Sequence, residues 1–239
     1  MPPSGTQGTA STCRTPDVRL VLVRHGLPER VHTDGGGADP DLTPLGHEQA
    51  ARVVGALEGD PVDAVYASTM RRARSTAVPL AAARGLEPRL VHDLREYDSD
   101  DREYVPVHEL ARSNPEVWQR MLNGNLPAHV DVEAFRGRVV AAMERVVEAH
   151  PGRGTAVVFA HAGVVNVYLA HVLGIALSLP FPLDYTGVTR IVASRDGLRK
   201  VRTVNEIAHV RDLLDMQPRQ VDAAGRPVQS AVGTPVTGS

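Results

Sequence analysis

Residues 18–26 read VRLVLVRHG: five of the first six positions are valine or leucine, and the run stops at Arg24-His25-Gly26. An apolar, valine-rich run bounded this sharply predicts a buried strand. The pattern recurs. VDAVYA at 62–67 predicts a second strand, ending at Ser68-Thr69. TAVVFA at 155–160 predicts a third, ending at His161-Ala162-Gly163. A short run at 89–91 predicts a minor strand. At 186–204, GVTRIVAS and LRKVRTV flank an Asp196-Gly197 turn and predict a hairpin.

Helical spacing fills the intervals. In TPLGHEQAARVVGALEG, Thr43 is the expected N-cap and Pro44 the first helical residue. Ala50, Val53, Val54 and Leu57 share one face, and Gly59-Asp60-Pro61 ends the helix. Ser68-Thr69 is expected to cap a second helix reaching about Arg84. Residues 106–122 predict a helix packing through Leu110, Val117, Trp118 and Met121. Asp131 is expected to cap a long helix with Phe135, Val139, Ala142, Met143 and Val146 on its apolar face, and residues 164–173 predict another. Two strand–helix units in succession predict a parallel sheet.

The expected architecture is therefore one α/β domain over residues 17–215. It is a three-layer sandwich on a mostly parallel sheet, with a helical insertion at about 105–131. Residues 1–16 and 216–239, rich in Ser, Thr, Gly and Pro, are expected as disordered tails. The stretch 27–42 carries Gly35-Gly36-Gly37 among Asp34, Asp39 and Asp41, and predicts a mobile loop at the mouth of a site.

Composition narrows the function. A net charge of −2 supplies no bulk field for nucleic acid or an anionic membrane, so neither is an expected partner. No run approaches the roughly 18–20 apolar residues of a membrane span. The N-terminus lacks the apolar core of a secretory signal, and the expectation is a cytoplasmic protein. Cys13 is the only cysteine, so no disulfide forms within the chain. Lys200 is the only lysine. The arginine excess reads as codon usage in a GC-rich genome, while particular arginines remain candidates for anion recognition.

Strand ends in a parallel sheet share one edge, where ligands bind. That edge would gather His25, His161, Arg24 and a helix start carrying Arg71, Arg72 and Arg74. Arg24 and His25 are costly in a core but not at such an edge. Guanidinium forks, amide donors at a helix start and a nucleophilic imidazole make a phosphate pocket. A carboxyl group must protonate the leaving oxygen, and Glu96, just after the short strand, is the first candidate. Arg71 and Arg74 read as a solvated helix face, Arg30 and Asp34 as a solvated loop, and 98–103 as a solvated acidic loop. The other eight histidines have no metal-ligand spacing and read as surface or structural.

Four blocks, in order, resemble the histidine phosphatase superfamily, also called phosphoglycerate-mutase-like. Val23-Arg24-His25-Gly26 resembles its signature, and residues 42–50 (LTPLGHEQA) its first helix, LTxxGxxQA. Residues 66–77 (YASTMRRARSTA) resemble its second helix, SSxxxRAxxTA, and Ala160-His161-Ala162-Gly163 its HGG element. The resemblance spans about 18–210. It implies a phosphoric monoester hydrolase that needs neither metal nor cofactor and acts on a small phosphorylated substrate; a homodimer is compatible with it. It implies His25 as the residue phosphorylated, Arg24 and Arg72 as phosphoryl ligands, His161 as the second catalytic histidine, which contacts the phosphoryl group and holds the pocket, and Glu96 as the acid and base. His25 must then be neutral, and Glu96 must titrate near neutrality.

The chain departs from the pattern at three places. Ala162 replaces a glycine, which is tolerable if the backbone there avoids positive φ. After Glu96 the chain reads Tyr97-Asp98-Ser99-Asp100-Asp101, which leaves Asp98 and Glu103 as alternative acids. Leu27-Pro28-Glu29-Arg30 after Gly26 argues against a committed glycolytic mutase. A phosphoglycerate or related sugar-phosphate mutase and a non-hydrolase biosynthetic enzyme using the same pocket stay open as alternatives. Intact Arg24, His25, Arg72 and His161 speak against an inactive binding scaffold.

Overall fold

The computed structural model describes residues 17–150, 152, 154–194 and 197–214. The expected tails, with Cys13, and positions 195–196 of the hairpin turn lie outside them. The apolar runs become the middle of one six-stranded sheet. Its order is β4 (Arg89–Val91), β3 (Ala64–Ser68), β6 (Gly154–Ala160), β1 (Val18–Arg24), β7 (Val188–Ala193) and β8 (Arg199–Glu206). The first four run parallel, and the β7–β8 hairpin adds the antiparallel margin.

Side chains alternate between two cores, which is why the central runs are apolar at every position. Leu20, Leu22, Ala156 and Val158 face α5 (Val132–Glu148) and α6 (Ala162–Leu173). Val21, Val23, Val157 and Phe159 face α1 (Pro44–Ala56) and α2 (Arg71–Arg84). Each fully buried Val or Leu contributes roughly 1.5–3 kcal/mol, so the β1 register is strongly specified.

That register sets the site. Arg24 pairs with Ala160, Ala67 with Phe159, and Ser68 with Val91. The chain therefore leaves β1, β3, β4 and β6 at one level of the sheet edge. The antiparallel β7 enters there, with Gly187 O accepting from Arg24 N–H. The caps at Thr43 and Asp131 form as expected, accepting from Gly46 N–H and Ala134 N–H.

Three local expectations are corrected. Ser68-Thr69 does not cap α2: the cap residue is Met70, with no side-chain bond. The helix expected at 106–122 is two, α3 (Val107–Ser113) and α4 (Pro115–Leu122). Pro115 disfavours helical backbone at the residue before it, and Asn114 leaves the helical region there and caps α4 by accepting from Val117 N–H. Trp118 and Met121 are half-buried on α4. The 27–42 stretch is not simply an open loop. Pro28 bridges Leu42, and β2 (Val31–His32) pairs with β5 (Glu103–Tyr104) in a small ribbon. Arg30 joins the ribbon to itself through Glu103 and to α3 through Glu109, at 2.8 Å each.

Candidate active site

Gly26 and Gly46 allow the strand end and α1 to touch. A Cβ on Gly26 would lie 2.5 Å from Gly46 O, and one on Gly46 would overlap Leu27 O. The buried amides around this crossing are satisfied from the helices. Gly26 N–H donates to Thr76 Oγ1 (3.0 Å) and Leu27 N–H to Gln49 Oε1 (2.8 Å). Leu27 O accepts from Thr43.

His25, at the tip of β1, is buried at 3% exposure. Its Nδ1 lies 2.8 Å from Gly26 O. A carbonyl only accepts, so Nδ1 carries the proton and Nε2 keeps its lone pair. Burial, then the Arg72 and Arg24 charges, hold His25 well below the ordinary histidine pKa. His161 is fully buried with its ring 5.2 Å from that of His25. Its Nε2 pairs with Ser68 Oγ at 2.9 Å, and its Nδ1 has no partner. Burial, then Arg72, lowers its pKa too. Ser68 thus orients the second histidine rather than capping a helix.

Arg24 donates through Nη1 to Leu183 O at 2.5 Å, and its Nε is buried without a partner. Arg72 is wholly buried in the first turn of α2. Its Nη2 donates to Asp98 Oδ1 at 2.9 Å, while Nε and Nη1 are left unpartnered. Asp98 is therefore a brace for Arg72 and not part of a solvated loop. Arg71 and Arg74 are exposed, Arg71 pairing with Asp41.

Glu96 follows the turn after β4 and is 6% exposed. Its Oε2 accepts from Gly163 N–H (2.8 Å) and its Oε1 from Tyr97 N–H (3.1 Å). Burial, then the charge of Asp98, pushes its pKa up to about 7. Of the alternative carboxylates, Glu103 is half-exposed in the ribbon and paired with Arg30. Ala162 opens α6 without positive φ, so the missing glycine costs nothing there.

The five residues picked from sequence thus meet at one buried point, with Asp98 among them and Glu103 outside. The sequence model for branch 1 of the histidine phosphatase superfamily matches residues 20–206. The chain belongs to the histidine phosphatase superfamily. It is 29% identical over 169 residues to phosphoserine phosphatase 1 of Hydrogenobacter thermophilus, covering 67% of this chain and 79% of that protein. It is also 29% identical over 164 residues to the adenosylcobalamin/alpha-ribazole phosphatase of Escherichia coli, covering 66% and 80%. Among solved structures, Bacillus stearothermophilus YhfR superposes with a TM-score of 0.68 at 24% identity, over 81% of this chain and 100% of that one. The phosphoglycerate-mutase-like fold and a phosphatase of the histidine phosphatase type follow.

Two residues of the candidate pocket escaped the sequence reading. Tyr104 lies under Arg72, with the guanidinium carbon 4.5 Å from the ring centroid, and Tyr185 lies under Arg24 at 3.8 Å. With only five tyrosines in the chain, two in the stretches flanking the expected site were a usable signal. Among the described residues, no group of three or more His, Cys, Asp or Glu could hold a metal ion, and no helix is long and apolar enough to cross a membrane.

Proposed function

We propose that this histidine phosphatase hydrolyses a small-molecule phosphomonoester through a phosphohistidine on His25, with Glu96 as proton donor. The observation that carries the reading is a set of buried, unpartnered polar atoms around a neutral imidazole: Arg24 Nε, Arg72 Nε and Nη1, and His161 Nδ1. Each such group costs on the order of 1–3 kcal/mol unless a ligand accepts from it. A phosphoryl group has the oxygens and the charge to do so. The relatives named for phosphoserine and for adenosylcobalamin/alpha-ribazole support a small ester as substrate.

In the first step His25 Nε2 attacks phosphorus and the P–O ester bond breaks. The leaving oxygen takes its proton from Glu96. The His25 Nδ1–H bond to Gly26 O steadies the positive charge that the ring acquires. In the second step Glu96, now a carboxylate, takes a proton from water. The resulting oxygen attacks phosphorus, the P–N bond breaks, and orthophosphate leaves. Such transfer asks chiefly for positioning and charge stabilisation.

The test is phosphate release from a panel of phosphorylated metabolites by wild type, His25→Ala and Glu96→Gln. Wild type releases phosphate from at least one ester, His25→Ala loses activity by about 10³-fold or more, and Glu96→Gln by about 10²–10⁴-fold. Folded wild type that releases no phosphate from any ester overturns the reading.

A further inference from the structure

Tyr185 is 2% exposed, and its hydroxyl is buried with no hydrogen-bond partner. A buried hydroxyl in that state signals a missing acceptor. It belongs to a segment that grips Arg24 from two sides. Leu183 O accepts from Arg24 Nη1 at the guanidinium edge, and the Tyr185 ring lies against its face. The same ring stands 5.7 Å from the His25 ring, centroid to centroid.

The backbone there is under strain. Thr186, a β-branched residue, has φ +57°, a conformation such residues seldom adopt. Its N–H donates to Arg24 O (3.1 Å) and His25 O (3.3 Å), which ties the strained residue to the β1 tip. Asn205, also at φ +57°, braces the segment from β8. Its Oδ1 accepts from Asp184 N–H and its Nδ2 donates to Asp184 Oδ2. A Cβ on Gly187 would overlap that Oδ1, so only glycine lets the brace approach. Strain held by several partners at a site is commonly part of its function. Here it sets a phenol beside the candidate nucleophile.

Tyr104 sits on the other side of the pocket, under Arg72. Burial, then the neighbouring Tyr185, pushes its phenol well above the ordinary tyrosine range. Each of the two tyrosines thus backs one arginine. Tyr185 carries the unpartnered hydroxyl.

We propose that Tyr185 is a phosphoryl-binding residue: its hydroxyl donates a hydrogen bond to a non-bridging oxygen of the phosphoryl group held by Arg24, while its ring fixes the Arg24 guanidinium. This rests on the reading of the pocket as a phosphoryl site. It adds a neutral donor to the charged ones, and it accounts for both the orphan hydroxyl and the strained Thr186.

The test is binding of orthovanadate and inorganic phosphate to the full chain, measured by calorimetry without turnover, for wild type, Tyr185→Phe and Tyr185→Leu. Tyr185→Phe keeps the ring and removes only the hydroxyl. It is expected to weaken both anions about 10-fold or more, with the Tm of the free protein unchanged or raised, because no internal bond is lost. Tyr185→Leu is expected to weaken them further, since Arg24 loses its support. Tyr185→Phe that binds both anions as tightly as wild type overturns the proposal, as does a lowered Tm with unaltered anion binding. Wild type that binds orthovanadate but hydrolyses no ester overturns the phosphomonoesterase reading and leaves Tyr185 standing. Wild type that binds neither anion overturns both.

Discussion

Gly163 and Glu96 are fitted to one another. The Gly163 amide donates to Glu96 Oε2 at 2.8 Å, and a Cβ on Gly163 would overlap Oε1 and stand 3.0 Å from Cδ. The second residue of α6 thus holds the carboxylate through its amide and leaves it room by having no side chain. Gly163→Ala is expected to push Glu96 out of position and lower kcat/KM by about 10²-fold, within the range of general acid catalysis. The protein should stay folded, since the nearest atoms a Cβ would meet all belong to the Glu96 side chain. Steady-state kinetics beside circular dichroism checks this; near-wild-type kinetics would contradict the fit.

The pH–rate profile should carry the mark of Glu96. Its pKa of about 7 means that the protonated form, which the proposed first step uses, is lost as pH rises through neutrality. Free-enzyme kcat/KM should therefore fall on the alkaline side with an apparent pKa near 7. The acid side should hold to lower pH, because burial and the two arginines keep His25 neutral well below the usual range. The ester's own second ionisation, at about 6, must be separated from both. Glu96→Gln should abolish the alkaline limb.

The same group predicts a stability effect. The folded-state pKa of Glu96 stands above the ordinary glutamate value of 4.5. The fold therefore favours the protonated form, and stability declines as pH rises from about 4.5 through 7. Glu96→Gln should match wild type near pH 4.5 and exceed it at pH 8, by up to about 3 kcal/mol. Urea denaturation at the two pH values measures the difference. A variant less stable than wild type at pH 8 would contradict the assignment.

Asp98 acts on both of its neighbours. It braces the fully buried Arg72 and raises Glu96. Asp98→Asn keeps an acceptor for Arg72 and removes the charge. The alkaline limb of kcat/KM should then move to lower pH, a displacement that simple loss of packing would not produce. The profile is read with the substrate that wild type prefers.

The crossing of β1 and α1 depends on two buried side chains. Thr76→Val removes the acceptor of Gly26 N–H, and Gln49→Leu that of Leu27 N–H. Each is expected to cost about 1–3 kcal/mol by orphaning a buried amide. Chemical denaturation of the single variants checks this.

Much of the fold was legible because its signals are local. The β1, β4 and β6 runs, the Thr43 and Asp131 caps and the β7–β8 pairing all appear where apolar periodicity and capping chemistry put them. His25 and His161 were legible as polar residues ending apolar strands, and Glu96 as a carboxylate after the short one. Local signals also misled. Ser68 has the chemistry of a cap, but a histidine 93 positions away takes its hydroxyl. The 98–103 stretch reads as solvated, yet Arg72 draws Asp98 into the pocket because a buried guanidinium demands a partner.

By itself, then, the sequence determined which strands are buried, where their apolar character stops, and which side chains could do phosphoryl chemistry. Only the tertiary structure decided what surrounds them. It stacked Tyr104 and Tyr185 on the two arginines, gave Ser68 to His161, split α3 from α4, and tied the glycine-rich stretch into a ribbon with β5. Those pairings join residues far apart in the chain, and sheet order and register bring them together. Composition and periodicity describe one segment at a time, so they carry no information about which distant segment completes it.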